Sequence, residues 1–469
     1  MHLGDLLDML SLDVATATLE ITSVEVDSRR CISGSLFFAM PGHADHGEAH
    51  VSDALGRGAV AVVATRALNV SAPVVVVPAS QLRALLAESS AAIVGHPEIG
   101  LDLVGVTGTN GKTTVTTLVA QLARLVGWNG ANVGTLTNER TTPAPPELMR
   151  TVAGLASTFE PGLAHSVLAL EVSSHALDQG RVDGLRFSVG AFTNLSHDHL
   201  DYHGSMEEYF AAKAKLFSPE RAQRAVVWVD DPYGERLLDS LHIPVVAVRR
   251  QDAAAVETSL SGTSFSWRGW PVRTGLIGGY NVDNALVALA IVSALGAHDA
   301  ALAGAMEAVT PVPGRLEVLE GSGVTVVVDY AHTPEGLRRL LLDVRDMAPH
   351  ARVTTVFGCG GDRDVAKRPT MGRVASELSD FTLVTSDNPR HEAPDAIMDA
   401  IMSGVVDGSA VTRVADRGAA IAEAVARARA GDVVVIAGKG HETYQILGDE
   451  NVPFDDRAVA REMLGLRAC

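Results

Sequence analysis

The chain has 469 residues, and at about 150 residues per domain that length predicts about three domains. Hydrophobic residues make up 47% and charged residues 20%, the balance of a folded globular protein and not of a disordered one. Against 56 acidic residues stand 38 basic ones, and the net charge of −18 argues against broad, unspecific binding to nucleic acid or anionic membrane.

Taken in chain order, the amino terminus MHLGDLLDMLSLDV carries acids where a signal peptide would carry basic residues. No apolar run approaches the roughly 18 residues of a membrane span. Cys31, Cys359 and Cys469 are too few and too scattered for a disulfide framework and lack metal-ligand spacing. A soluble protein of the reducing cytoplasm is therefore expected. Val-rich runs such as AVAVVA (59–64), LVGVTG (103–108) and VTVVVDY (324–330) alternate with Ala/Leu-rich stretches of helical spacing. That alternation predicts parallel sheets covered by helices. Turn-rich breaks at 95–102 and 311–323 divide the chain into three α/β domains, 1–98, 99–314 and 315–469.

TGTNGKTT (107–114) follows a predicted strand and opens a predicted helix. Glycines let a backbone wrap closely round a phosphate, and the free N–H groups at a helix start bind the anion. Gly108, Thr109, Asn110, Gly111, Lys112, Thr113 and Thr114 form this loop, with Lys112 as a point charge and Thr113 as a Mg²⁺ ligand. It is a short variant, because Val106 stands where the strict pattern has glycine. VLALEVSSHALDQGRV ends an apolar strand on Glu171. An acid at the carboxyl end of a parallel strand lies where ligands bind, and could hold the Mg²⁺ of a nucleotide.

NLSHDHLDYHG (194–204) gathers three histidines and two aspartates, which suits either a polar loop or a metal site. The helix that follows, capped by Ser205, places Met206, Phe210, Lys213 and Phe217 on one face. Lys213 thus lies in an apolar stripe, with Lys215 turned toward solvent. Two outcomes stay open for Lys213. It can snorkel past the stripe to water. Alternatively, burial lowers its pKa, and the neutral amine reacts with CO₂ to give a carbamate, an oxygen ligand for Mg²⁺.

In order along the chain come TGTNGKTT, LEVSSHAL, NLSHDHLDYHG, AAKAKLF, VPGRLE, VDYAHTP, GCGGDRDVAKRP, DNPR and AGKGHETYQ. Together they resemble the Mur ligase family, over essentially the whole chain. The resemblance implies a first domain for the UDP end of a nucleotide sugar and a central P-loop domain for ATP on a mostly parallel sheet. It implies a third, dinucleotide-fold-like domain for the amino acid, which closes over the site. It further implies an ATP-dependent amide ligase of peptidoglycan synthesis, working through an acyl phosphate and releasing ADP and phosphate. Lys112 and the loop would hold the phosphates. Thr113 and Glu171 would bind one Mg²⁺, and His199 with carbamylated Lys213 (N6-carboxylysine) a second. Asn281, Arg315 and Asp329 would contact ATP. Ser28, Thr141, Thr142, Ser173, Gln179 and Arg181 would hold the UDP-sugar dipeptide.

DNPR (387–390) resembles the signature of relatives that add meso-diaminopimelate, whose remote carboxylate a guanidinium can clamp. Asp387, Asn388, Pro389, Arg390, Arg363, Gly438 and Glu442 would form that acceptor site, with Arg390 as the clamp; the competing partner for Arg390 is the nearby Glu392. The expected partners are UDP-MurNAc-dipeptide and a diamino acid, with no nucleic acid or membrane insertion, and the expected state is a monomer. His46, His197 and Trp228 depart from the family pattern. Two rival readings are a related ligase with another acceptor (lysine, a D-Ala-D-Ala dipeptide, or glutamate added to folate) and a non-catalytic ATP-binding regulator.

Overall fold

The computed structural model describes residues 19–41, 46–138, 140–406, 408 and 410–466. The acidic amino-terminal segment, residues 42–45 just before His46, and Cys469 lie outside the described residues. Three parallel or mostly parallel sheets follow one another along the chain, as the alternating pattern predicts.

The first has four parallel strands in the order β1 (Ser23–Glu25), β2 (Ser35–Phe38), β3 (Ala59–Ala64) and β4 (Val74–Val76). The helix Ala79–Ala92 covers one face through Leu82, Leu85 and Leu86. The other face packs on Val51 and Ala54. Arg150 joins Glu25 at 2.9 Å and Arg30 joins Glu147 at 2.8 Å, docking this sheet on the helix Pro145–Ala156.

The central sheet comprises β5 (Asp102–Thr107), β6 (Asn129–Val133), β7 (Ser166–Glu171), β8 (Val189–Phe192), β9 (Ala225–Trp228) and β10 (Val245–Val248). All pairs are parallel, in the order β10-β9-β8-β5-β7-β6. The chain runs outward from β5 in one direction and later in the other, so β5 marks the switch point. The carboxyl ends at such a point open a crevice for ligands. Helix Lys112–Leu125 packs on one face with Val115, Leu118, Val119 and Leu122. Helix Gly279–Ala294 is apolar nearly all round because it lies between this sheet and an antiparallel sheet of β11 (Ala253–Ser259), β12 (Gly262–Trp267) and β13 (Trp270–Thr274).

The third sheet adds β14 (Glu317–Gly321), β15 (Val324–Asp329), β16 (Val353–Phe357), β17 (Phe381–Val384), β18 (Val411–Arg413) and β19 (Val433–Ala437). Its order is β14-β15-β19-β16-β17-β18, parallel except for the antiparallel edge strand β14. Val326 and Val328 face one core and Val327 the other, the two-residue period of a strand covered on both sides. A hairpin, β20 (Tyr444–Leu447) with β21 (Glu450–Pro453), follows β19.

Arg417 and Asp456, both fully buried side chains, form a bidentate pair with two 2.7 Å bonds. The same guanidinium donates to Ala437 O at 2.9 Å and Ser386 O at 3.3 Å, bracing the strand ends that lead to Gly438 and Asp387. Removing one partner strands a buried charge, which costs about 3–5 kcal/mol. Asp456→Ala is expected to lose that much stability in urea unfolding, and Arg417→Met/Asp456→Leu much less.

Candidate active site

The phosphate-loop residues leave β5 and turn back at the switch point. Gly108 has φ +149, and a Cβ there would stand 1.9 Å from Thr193 Oγ1. Gly111 has φ +86, and a Cβ there would meet Asn284 Oδ1 at 2.4 Å. Both positions therefore require glycine. The end of β8 shapes the loop from the side. Asn194 Oδ1 accepts from Asn110 N at 2.9 Å, and Thr193 Oγ1 donates to Asn110 O at 2.6 Å. Lys112 folds back over the loop, its Nζ donating to Gly108 O at 2.9 Å and Thr109 O at 2.8 Å. Burial lowers its pKa, against the pull of Glu171 and Asp198. Thr114 is buried in the first helical turn.

Glu171, 1% exposed at the end of β7, receives Thr113 Oγ1 at 3.0 Å and Thr135 N at 2.8 Å. A hydroxyl and a carboxylate that converge in this way give the all-oxygen donor set that suits Mg²⁺. From the third sheet's side of the connection, Arg315 Nη2 comes to 3.4 Å from Thr113 Oγ1 and its guanidinium stacks at 4.2 Å on Tyr330. Arg315 thus already reaches the phosphate loop.

Lys213 is 1% exposed in the helix Met206–Ala214, so it does not snorkel to water. Its Nζ donates to Gly108 O at 2.8 Å, the same carbonyl that Lys112 engages. It also lies 4.6 Å over the Tyr209 ring. Burial, with Lys112 adding to it, pushes its pKa well below the ordinary lysine value. Lys215 is solvated beside Asp178 at 2.9 Å.

His199 opens the short helix Leu200–His203 with left-handed backbone, φ 54. Its Nε2 lies 3.5 Å from Asp198 Oδ2, and burial lowers its pKa to about 4, which keeps the imidazole neutral and able to bind a metal. The His199 ring is 6.2 Å from Tyr209, so His199 and Lys213 flank one aromatic ring. Among the described residues no group of three His, Cys, Asp or Glu side chains could hold a metal unaided.

Five of the sugar-side residues assemble beside Glu171. Thr142 Oγ1 donates to Glu171 O at 2.8 Å and lies 3.3 Å from Ser173 Oγ. Arg181 donates to Thr142 O at 2.8 Å and grips Gln179 Oε1 at 2.6 and 3.0 Å. Thr141 joins through Thr135 at 3.2 Å. Ser28 is not among them: it is buried in the first sheet's loop, hydrogen-bonded to Asp53.

Asn281 and Asp329 are engaged within the protein. Asn281 Nδ2 donates to Ile277 O at 3.0 Å, and its Oδ1 accepts from Asn284 at 3.2 Å. Asp329 accepts from Leu316 N and Ala331 N at 2.8 Å each and from Tyr280 OH at 3.0 Å. It braces Leu316, whose φ is 46, directly after Arg315.

In the third sheet, Asn388 Nδ2 donates to Glu442 Oε2 at 2.9 Å, and its Oδ1 accepts from Lys439 Nζ at 3.1 Å. Gly438, φ +116, sits where a Cβ would press Asp387 Oδ2 at 2.6 Å. Arg390 Nη1 donates to Gly361 O at 2.8 Å, in the loop just before Arg363, whose side chain is exposed. Glu392 is not its partner, because Arg368 takes that carboxylate with two 2.8 Å bonds.

Family models match three consecutive stretches: "Mur ligase family, catalytic domain" at residues 20–99, "Mur ligase middle domain" at 106–292 and "Mur ligase, glutamate ligase domain" at 314–440. The chain belongs to the Mur ligase family. It is 43% identical over 466 residues to a relative from Geobacillus kaustophilus (strain HTA426), covering 94% of each chain. It is also 43% identical to one from Gloeobacter violaceus (strain ATCC 29082 / PCC 7421), covering 100% of this chain and 99% of the relative. Both relatives are named UDP-N-acetylmuramoyl-L-alanyl-D-glutamate–2,6-diaminopimelate ligase. A solved structure under the same name matches with a TM-score of 0.69 and 30% identity over 99% of both chains. The MurF ligase from Thermotoga maritima in complex with ADP, at 19% identity and a TM-score of 0.64 over 94% of this chain and 96% of its own, shares the fold.

In this Mur ligase, sequence reasoning missed Tyr209, Asn284, Tyr280 and Lys439. Lys439 lies within the GKGHE run already singled out and is fully buried against Glu442 at 2.9 Å. The others touch the site only through folding and leave no local signal. Because Lys213 is a desolvated amine whose carbonyl partner keeps Lys112, Lys213→Met is expected to fold with a thermal midpoint equal to or above wild type. The gain in bicarbonate-free buffer at neutral pH should be up to about 2 kcal/mol.

Proposed function

We propose that this chain is the ATP-dependent ligase that adds meso-2,6-diaminopimelate to UDP-N-acetylmuramoyl-L-alanyl-D-glutamate. The observation that carries the reading is the meeting of Lys112, Thr113 with Glu171, Lys213 and Arg315 at the ends of β5 and β7. The names of relatives over 40% identical along most of the chain support the acceptor. We read the chain as residues 1–98 for the UDP end, 99–314 for ATP and 315–469 for the amino acid, in keeping with the run of sheets.

The substrate's free carboxylate attacks the γ-phosphorus of ATP, giving an acyl phosphate and ADP. The acceptor's amine then adds to the acyl carbon, the tetrahedral intermediate expels phosphate, and the amine's proton is released. Lys112 and the loop amides offset charge on the transferring phosphoryl group, and Arg315 adds a second cation from across the connection. Thr113 and Glu171 would hold one Mg²⁺, and His199 with carbamylated Lys213 a second. Mg²⁺ supplies Lewis-acid polarisation of phosphoryl oxygens. A cytoplasmic location is part of the reading; among the described residues, no helix is long and apolar enough to cross a membrane.

A phosphate-release assay with UDP-N-acetylmuramoyl-L-alanyl-D-glutamate and a panel of amino acids tests the function. Meso-diaminopimelate should be used far better than L-lysine, and Arg390→Ala should cost roughly 10- to 150-fold in kcat/KM for diaminopimelate while leaving L-lysine nearly unchanged. A preference for L-lysine, or an equal loss on both substrates, would sink the assignment.

Lys213→Ala should abolish ligation, and millimolar formate or acetate in chloride-free buffer should restore part of it by standing in for the carbamate. Lys215→Ala should be mild. Near-normal turnover by Lys213→Ala would dismiss the carbamate role.

A further inference from the structure

Arg390 holds a left-handed backbone, φ 52, that a non-glycine residue keeps only where its surroundings over-determine it. On one side the hairpin fixes it. Arg390 N donates to Ile446 O at 3.0 Å, and its own carbonyl accepts from Gly448 N at 2.9 Å. On the other side stands Glu392, two residues on. Glu392 takes the bidentate pair from Arg368, whose side chain is 3% exposed, and accepts from Asp362 N at 2.5 Å. Arg368 Nη2 also donates to Gly360 O at 3.2 Å, while Arg390 Nη1 donates to the next carbonyl, Gly361 O, at 2.8 Å. The pair therefore ties the 360–362 loop to the 388–392 loop and fixes the seat of the guanidinium. It also keeps Glu392 occupied. A carboxylate released two residues from Arg390 would compete for that guanidinium and cover it.

We infer that Arg368 and Glu392 are positioning residues that aim Arg390 at the acceptor's distal carboxylate and keep it free, and so set selectivity against acceptors lacking that group. The inference rests on the reading of Arg390 as the carboxylate clamp.

Steady-state rates on purified full-length protein test it, with meso-diaminopimelate and L-lysine as acceptors. Arg368→Lys keeps the charge and loses the fork. It should raise KM for diaminopimelate about ten-fold. kcat at saturation, KM for ATP and the poor rate with L-lysine should stay within about two-fold. Added to Arg390→Ala it should cost nothing more, because the pair acts through Arg390. Equal losses on both acceptors, multiplying effects in the double variant, or an unchanged KM would each overturn it. If Arg368→Lys loses its cooperative thermal transition, Glu392→Gln is judged by the same criteria. A wild type that ignores diaminopimelate defeats the underlying reading instead; a selective wild type with unaffected variants defeats only this inference.

Discussion

One backbone oxygen organises the centre of this molecule. Gly108 O accepts from both Lys112 and Lys213, which places two ammonium nitrogens within about 6 Å of each other. Two unit charges at that separation repel by about 3 kcal/mol even at an effective dielectric near 20. The arrangement is relieved when an anion arrives at Lys112 or when Lys213 gives up its charge. Lys213 is the more buried of the two, pressed against Tyr209, and its pKa is driven down accordingly. Burial and the neighbouring Lys112 thus disfavour the charged form of Lys213 most strongly, on the side of the loop away from the solvent.

The surroundings of that oxygen follow from strand order. Because β5 lies between β7 and β8, the phosphate loop, Glu171 and Thr193–Asn194 come from three neighbouring strand ends. Thr109 ties the loop to Tyr209 at 3.2 Å and to Ser196 N at 3.0 Å, which links it to both the Lys213 helix and the histidine-rich segment. Tyr280 links the central sheet's last long helix to Asp329, and Asp329 holds the backbone just after Arg315. Arg315 thus approaches Thr113 from a segment that is itself pinned.

Much of this was legible in the sequence where the signal is periodic or local. The strand, glycines, lysine and helix of 103–125 announce the loop, and the spacing of Met206, Phe210, Lys213 and Phe217 announces a lysine in an apolar stripe. What periodicity does not carry is depth. The stripe leaves the depth of Lys213 open, and only the packed Tyr209 ring and the Gly108 carbonyl show that it is buried and does not snorkel to water. Nor does sequence separation carry partnership. Glu392 looks like a natural mate for Arg390, yet Arg368, twenty-four residues away, claims it. Asn281 and Asp329 sit in polar motifs that suggest ligand contact, while their hydrogen bonds serve the helix start and the connection. Ser28 belongs to a different sheet, and no local pattern states how that sheet is presented to the others.

The connection between the second and third sheets carries a mechanical consequence. Gln121, on the phosphate-loop helix, donates to Thr310 O at 3.1 Å and accepts from Thr310 N at 2.8 Å, so the chain is anchored up to that residue. Beyond it run Pro311, Val312, Pro313 and Gly314. Each proline locks its own φ and restricts the residue before it. The turn that follows is closed by Arg315 N donating to Val312 O at 3.0 Å and Gly314 N donating to Glu317 Oε2 at 2.8 Å, and Gly314, whose φ is +64, lies so close to the next segment that a Cβ there would overlap His441 N at 2.2 Å. A side chain at Gly314 would therefore drive this connection away from the GKGHE segment on which it is packed.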